Sequence, residues 1–184
     1  MKILNLNKCF ANKIIFNNAS FEFEDGKITY LMGESGIGKT TLLRIIAGLD
    51  RNFSAEFSRP DKIAYVFQEP RLFPSLTVKD NIKIVNENSK YDIDWLLNLV
   101  ELNGCENLYP NELSGGMNAR VSIARAIYYD ADVVLMDEPF SSLNQEMKDR
   151  IASKTFSVLS GKTVIVVSHD IAEANLYSNK IIIL

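Results

Sequence analysis

The sequence is poor in several kinds of residue, and each shortage removes a class of function. The 184 residues include one histidine and two cysteines, and Cys9 and Cys105 lie far apart with no CxxC neighbour. We therefore expect no histidine-rich metal site and no disulfide framework, and both thiols are interpreted as reduced. No window holds the roughly 18 apolar residues that a membrane-spanning helix needs. The N-terminal residues alternate with polar ones too early for a secretory signal.

The sequence also lacks an excess of basic residues, because it has 20 Lys and Arg and 23 Asp and Glu, which gives a net charge of −3. Nucleic-acid-binding proteins usually carry a basic stripe, so we expect no nucleic-acid partner. The apolar share of 47% is ordinary for a globular protein. The composition predicts a cytoplasmic protein with one domain spanning residues 1–184.

Strands open the chain, and strands alternate with helices towards its end. The predicted strands are Ile3–Leu6, Lys13–Phe16, Ser20–Glu24, Lys27–Met32, Lys62–Phe67, Val133–Met136, Thr163–Val167 and Lys180–Leu184. The predicted helices are Thr40–Ala47, Val78–Val85, Asp92–Leu102, Gly115–Tyr129, Gln145–Leu159 and Ala172–Tyr177. This order predicts an α/β protein with a mainly parallel sheet and antiparallel strands at the N-terminus. The core is expected at about 1–71 and 130–184, with an inserted helical subdomain at about 72–129.

A glycine-rich segment between a predicted strand and a predicted helix fits the pattern G-x-x-x-x-G-K-[ST]. Backbone N–H groups of such a loop point at phosphate oxygens, and the following helix N-terminus favours negative charge. Lys39 would contact the β- and γ-phosphates, and the Thr40 hydroxyl would bind Mg²⁺. The predicted nucleotide-binding residues are Gly33, Glu34, Ser35, Gly36, Ile37, Gly38, Lys39, Thr40 and Thr41, which together form the phosphate loop.

Two acidic residues, Asp137 and Glu138, follow the apolar run Val133–Met136. A continuous apolar run is typical of a buried parallel strand, and ligands bind beyond the carboxyl ends of such strands. We expect Asp137 to lie beside Mg²⁺ and Glu138 to act as general base towards the attacking water. A purely structural role for two acids after a strand is the alternative.

Between these motifs lies Leu113-Ser114-Gly115-Gly116, which resembles the signature of ABC (ATP-binding cassette) ATPases. The order of the motifs matches that family along essentially the whole chain. The resemblance implies that the signature of one subunit closes over the γ-phosphate held by the other. Ser114, Gly115 and Gly116 would then contact ATP bound to a second cassette, and the pair is expected to be a homodimer.

Other positions take their expected roles from the same resemblance. Gln68 stands where the family's glutamine contacts Mg²⁺ and the attacking water, and His169 stands where its histidine contacts the γ-phosphate. Phe10 lies where an aromatic residue stacks on adenine, with an ordinary core phenylalanine as the alternative. Ser141–Asn144 resembles the D-loop. The implied ligands are ATP and Mg²⁺.

The stretch from Gln68 to Val78 resembles the importer branch of the family, in particular its nitrate, sulfonate or taurine systems. That branch implies a transmembrane permease as partner and a place on the inner face of the cell membrane. Met117 and Asn144 depart from the usual glutamine and aspartate of the family. The sequence stops at Leu184, where relatives usually continue, so we expect a minimal cassette without a regulatory tail.

Three alternatives to a transporter ATPase stay open at this point. One is a soluble ABC ATPase outside transport, and another is a regulatory ATP-binding module, which Met117 and Asn144 suggest. An unrelated kinase with a phosphate loop is the third, but it would leave Leu113–Gly116 and His169 unexplained.

Overall fold

The computed structural model describes residues 1–11 and 13–184, and these residues form two β-sheets and six α-helices. In chain order the elements are β1 (Lys2–Phe10), β2 (Lys13–Glu22), β3 (Ile28–Met32), α1 (Lys39–Ile46), β4 (Ser54–Phe57), β5 (Ile63–Val66), α2 (Val78–Lys83), α3 (Ile93–Leu99), a short 3-10 helix (Pro110–Glu112), α4 (Gly115–Tyr129), β6 (Val133–Asp137), α5 (Gln145–Val158), β7 (Thr163–Val167), α6 (Ile171–Tyr177) and β8 (Lys180–Ile183).

The N-terminal sheet is antiparallel, with the strand order β2-β1-β4. The predicted strands Lys13–Phe16 and Ser20–Glu24 form one continuous strand, so the predicted break between them was wrong. Asn18 takes a φ of 51°, and its N–H donates to Asn7 Oδ1 at 2.8 Å. The pairing with β1 therefore shifts register locally and then continues, so the two predicted strands are one.

The second sheet has the strand order β5-β6-β7-β3-β8. β7 pairs in parallel with both β6 and β3, and β3 pairs in parallel with β8. Every residue of β6 and β7 is buried, as continuous apolar runs predict for strands covered on both faces. The predicted α/β fold, with a parallel sheet and antiparallel N-terminal strands, is confirmed.

Five helices begin after a side chain that accepts a hydrogen bond from a backbone N–H of the first turn. These capping residues are Thr77, Asp92, Ser114, Asn144 and Asp170. The first helix differs, because α1 starts after Gly38, which has no side chain to cap it. The first N–H groups of α1 consequently remain available to an anion.

The chain divides into two compact units. The first comprises Met1–Ile63, Asp132–Asp137 and Gly161–Leu184, and the second comprises Ala64–Ala131 and Glu138–Ser160. Within the first unit, α1 packs against β6 and β7. Within the second, α4 packs against α2 and α3. The predicted subdomain boundaries at about residues 72 and 129 stay a prediction. No helix within residues 1–11 and 13–184 is long and apolar enough to cross a membrane.

Candidate functional site

The phosphate loop connects the end of β3 to the start of α1, as its motif predicts. Gly33 has a φ of 141° and Gly38 a φ of 124°, a region that residues with a Cβ rarely adopt. A Cβ on Gly38 would lie 2.6 Å from Ile15 Cγ2 and 2.9 Å from Phe16 Cζ. The loop therefore packs directly on β2, and the chain at Gly38 has no room for a side chain.

Lys39 folds back over this loop. Its Nζ donates to the carbonyl oxygens of Gly33 at 2.7 Å and Glu34 at 2.8 Å, and the residue is 6% exposed. These hydrogen bonds hold the ammonium within the curve of the loop, beside the N-terminus of α1. A positive charge at that position suits a chain of phosphate groups.

Thr40 and Asp137 lie together in the first unit. Thr40 Oγ1 donates to Asp137 Oδ1 at 3.0 Å, and Asp137 is a buried residue at the end of β6. The described residues contain no group of three or more His, Cys, Asp or Glu side chains able to hold a metal. Mg²⁺ in nucleotide sites needs only one or two protein oxygens, because phosphates and water supply the others. The hydroxyl and carboxylate at the loop therefore fit Mg²⁺.

His169 is exposed and follows β7, the strand beside β6. The next residue, Asp170, caps α6 by accepting hydrogen bonds from the N–H groups of Ala172 and Glu173. Glu173 also accepts a hydrogen bond from the Tyr30 hydroxyl at 2.9 Å. Burial and the adjacent Glu173 raise the pKa of Tyr30, so its hydroxyl remains a donor. The short link between β7 and α6 thus carries His169 at the same sheet end as Asp137.

Phe10 lies at the end of β1 and is 49% exposed, so it is not the core phenylalanine of the alternative interpretation. Its cross-strand neighbour Lys13 has its Nζ 3.5 Å from the carbonyl oxygen of Gly36. The end of the β1–β2 pair therefore lies against the phosphate loop. The sequence did not predict that Lys13 lies beside the phosphate loop, because its position depends on the pairing of β1 with β2.

The remaining predicted residues belong to the second unit. Gln68 is exposed shortly after β5. Glu138 follows Asp137 directly and has a φ of 49°, which is rare for a residue with a side chain. The Glu138 carbonyl oxygen accepts hydrogen bonds from the Ser141 hydroxyl at 2.9 Å and the Ser141 N–H at 3.2 Å. The turn after β6 therefore holds the Glu138 backbone in this unusual conformation.

The signature residues begin α4. Ser114 Oγ accepts a hydrogen bond from the Met117 N–H at 3.3 Å. A Cβ on Gly115 would meet nothing within 4 Å, whereas one on Gly116 would lie 3.1 Å from both Leu143 Cδ2 and the Ser142 oxygen. Within the signature, Gly115 therefore has free space where a Cβ would lie, whereas Gly116 packs tightly against residues 142 and 143.

A loop of this build, with a lysine inside it and a hydroxyl–carboxylate pair beside it, defines the class of P-loop nucleotide-binding proteins. The sequence profile described as ABC transporter matches residues 16–141, and the chain belongs to that family. It is an ATP-binding subunit of the family, an ATPase that hydrolyses ATP to drive transport.

Curated relatives share much of the sequence. The chain is 38% identical over 183 residues to the aliphatic sulfonates import ATP-binding protein SsuB 2 of Pseudomonas syringae pv. tomato, covering 96% of this chain and 78% of that protein. It is 41% identical over 185 residues to SsuB of a Bacillus cereus strain, covering 92% and 73%. SsuB of Bacillus subtilis is 39% identical over 184 residues, with 92% and 72% covered.

A solved structure supports the same fold. The dimeric structure of the ATP-binding cassette MJ0796 in a post-hydrolysis state, bound to ADP and Pi, superposes with a TM-score of 0.85. The two sequences are 29% identical, and the superposition covers 100% of this chain and 93% of that one. The resemblance to ABC ATPases inferred from the motifs is therefore confirmed.

Proposed function

We propose that this chain is the ATPase of an importer for aliphatic sulfonates or closely similar organic anions. Its relatives in three bacteria are named for aliphatic sulfonate import, at 38–41% identity over most of the chain. The chain would work on the inner face of the cell membrane, bound to a transmembrane permease. Two cassettes, most simply two copies of this chain, would form each motor.

The observation that carries the ATPase proposal is the arrangement around Lys39. Its ammonium lies inside the phosphate loop, and Thr40 and Asp137 present two oxygens 3.0 Å apart beside it. The loop N–H groups would bind the phosphates, and Lys39 would neutralise charge that develops on the β–γ bridge. Phe10, exposed at the end of β1, would stack on adenine.

Mg²⁺ would be held by Thr40 and Asp137, with Gln68 as a further ligand, and would neutralise negative charge on the phosphate oxygens. Glu138 would accept a proton from the attacking water, and His169 would donate a hydrogen bond to the γ-phosphate. The roles of Gln68, Glu138 and His169 come from their matching positions in the family.

The signature would complete the site of the other subunit. Ser114 can offer its hydroxyl, and the N–H groups of Gly115 and Gly116 open a 15-residue helix that favours an anion. ATP would then hold the two subunits together, because each nucleotide touches both. Hydrolysis would remove that link and let the pair open.

Two substitutions that suggested a regulatory module leave the local structure intact. Asn144 Oδ1 accepts a hydrogen bond from the Met147 N–H at 2.9 Å, and asparagine caps a helix as well as aspartate does. Met117 keeps its backbone hydrogen bond to Ser114. Both departures from the family pattern therefore leave the start of their helix capped, and neither removes a proposed phosphate ligand or the proposed base.

A pull-down tests the transport assignment. Tagged Glu138→Gln protein, which should retain Mg·ATP, is purified from membranes of its native cells, with Lys39→Ala as the control that should not bind nucleotide. We expect a multi-span permease in near-equal amount, and loss of growth on an alkanesulfonate as sole sulfur source when the gene is deleted. Soluble partners alone would favour an ABC ATPase outside transport.

A further inference from the structure

Lys8 is a buried cation on β1. Its side chain is 1% exposed, although lysine is almost never fully buried without a partner. Lys8 Nζ donates to Asp50 Oδ1 at 2.8 Å and to the carbonyl oxygen of Asn52 at 2.8 Å. Groups that follow α1 thus fix the ammonium from two directions.

A second hydrogen bond orients the Asp50 carboxylate for its contact with Lys8. Its Oδ1 also accepts a hydrogen bond from the Asn52 N–H at 3.0 Å. Burial raises the pKa of Asp50, but the hydrogen bonds from Lys8 and the Asn52 backbone outweigh it, and the pKa lies below its ordinary value. The carboxylate is therefore charged at neutral pH, and the ion pair with Lys8 is complete.

The same ammonium lies over an aromatic ring. Lys8 Nζ is 4.3 Å from the centroid of the Phe10 ring, within the range of a cation–π interaction. Positions two apart on a strand project to the same face, which explains how Lys8 and Phe10 meet. The Phe10 ring is nevertheless 49% exposed, so part of it remains accessible to a ligand.

We propose that Lys8 is a positioning residue for the adenine of ATP, acting through the Phe10 ring. This inference rests on the proposed stacking of adenine on Phe10. The ammonium fixes the orientation of the ring before the nucleotide arrives, which reduces the entropy lost on binding. It also draws π-electron density towards its own side, which favours stacking of an electron-rich purine on the ring's other face.

The test removes the cation without leaving a buried carboxylate alone. The double variant Lys8→Met/Asp50→Asn is compared with the wild type by calorimetric titration with Mg·ATP and with Mg·tripolyphosphate, which has no base. We expect affinity for ATP to fall about three- to tenfold and affinity for tripolyphosphate to stay within about twofold. Lys8→Arg, which can keep both the ion pair and the ring contact, should retain most of the ATP affinity.

Lys2→Met is the matched control, because Lys2 lies on the same strand, pairs with Glu22 and has a side chain that is 64% exposed. It should leave both affinities unchanged. Equal losses for ATP and tripolyphosphate in the double variant would show a general structural effect and overturn the proposal.

A cycle with Phe10→Leu separates this inference from the proposed function. We expect Phe10→Leu to weaken ATP binding about tenfold and the Lys8→Met/Asp50→Asn change to add almost nothing in that background. Full additivity would overturn the role of Lys8 while leaving Phe10 as the adenine platform. Unchanged ATP affinity in Phe10→Leu would instead overturn the adenine assignment itself.

Discussion

Gly38→Ala should destabilise the protein far more than the same change at Gly36 in the same loop. Both glycines have a positive φ, 124° and 76° respectively. A Cβ on Gly38 would lie 2.6 Å from Ile15 Cγ2, whereas one on Gly36 would meet nothing within 4 Å. Gly38→Ala therefore adds steric overlap with β2 to backbone strain, whereas Gly36→Ala introduces backbone strain alone.

The magnitudes follow from these two contributions. Backbone strain costs about 1–2 kcal/mol at Gly36, whose φ lies near the left-handed helical region. It costs about 1–3 kcal/mol at Gly38, whose φ of 124° lies outside that region. Overpacking against β2 adds about 1–3 kcal/mol at Gly38 alone. We expect the free energy of unfolding to fall by about 2–6 kcal/mol in Gly38→Ala and by about 1–2 kcal/mol in Gly36→Ala.

Urea denaturation followed by circular dichroism measures both variants under one set of conditions, without nucleotide. Equal losses in the two variants would refute the claim that β2 supports the phosphate loop at Gly38. A binding titration adds a functional comparison. Relief of the overlap must move Gly38 away from β2, and we therefore expect Gly38→Ala to bind Mg·ATP at least about tenfold more weakly than the wild type.

Three further predictions concern charge, metal and catalysis. Hydrogen bonds from Arg150 and Lys154 lower the pKa of Glu101 to about 2, so Glu101→Gln should cost about 0.5–1 kcal/mol at pH 7. The stabilisation by ionised Glu101 is complete above the unfolded pKa near 4.5 and disappears as the pH falls towards 2. Chemical denaturation at several pH values measures it, and a destabilisation by Glu101→Gln that does not change with pH would contradict this prediction. Thr40→Ala should lose the Mg²⁺-dependent part of its ATP affinity, while its ATP affinity in EDTA stays unchanged. Thr40→Ser should keep the Mg²⁺-dependent part. If a binding titration of Thr40→Ala showed the same Mg²⁺ dependence as the wild type, Thr40 would be excluded as a Mg²⁺ ligand. Glu138→Gln should bind ATP but turn over at least about 100-fold more slowly in a phosphate-release assay, and near-normal turnover would remove Glu138 from the role of base.

Local signals made much of the fold predictable. Ser114 and the apolar spacing after it predicted α4 with the bounds that the structure has, and the apolar run Thr163–Val167 did the same for β7. The strand β4 (Ser54–Phe57) was missed because its four residues alternate between exposed and half-buried. Its place in the sheet depends on antiparallel pairing with β1, which is distant in sequence.

In the candidate site too, local features were predictable from the sequence and contacts between distant residues were not. The phosphate loop was predictable because its residues are contiguous and its chemistry is local. The hydrogen bond of Thr40 to Asp137 joins residues 97 positions apart. The sequence predicted that each lies beside Mg²⁺, and it did not predict the direct contact between them. The position of Lys8 under Phe10 was not predictable, since it depends on Asp50 and on the path of the chain after α1.

We propose that two chains share each ATP site, with the phosphate loop from one and the signature from the other. Mixing Lys39→Ala protein with Ser114→Arg protein tests it most directly. Each variant alone should be nearly inactive, and ATPase activity should return in mixtures, because a mixed pair retains one intact phosphate loop facing one intact signature. Absence of activity at every mixing ratio, with both proteins folded and able to pair, would contradict the account.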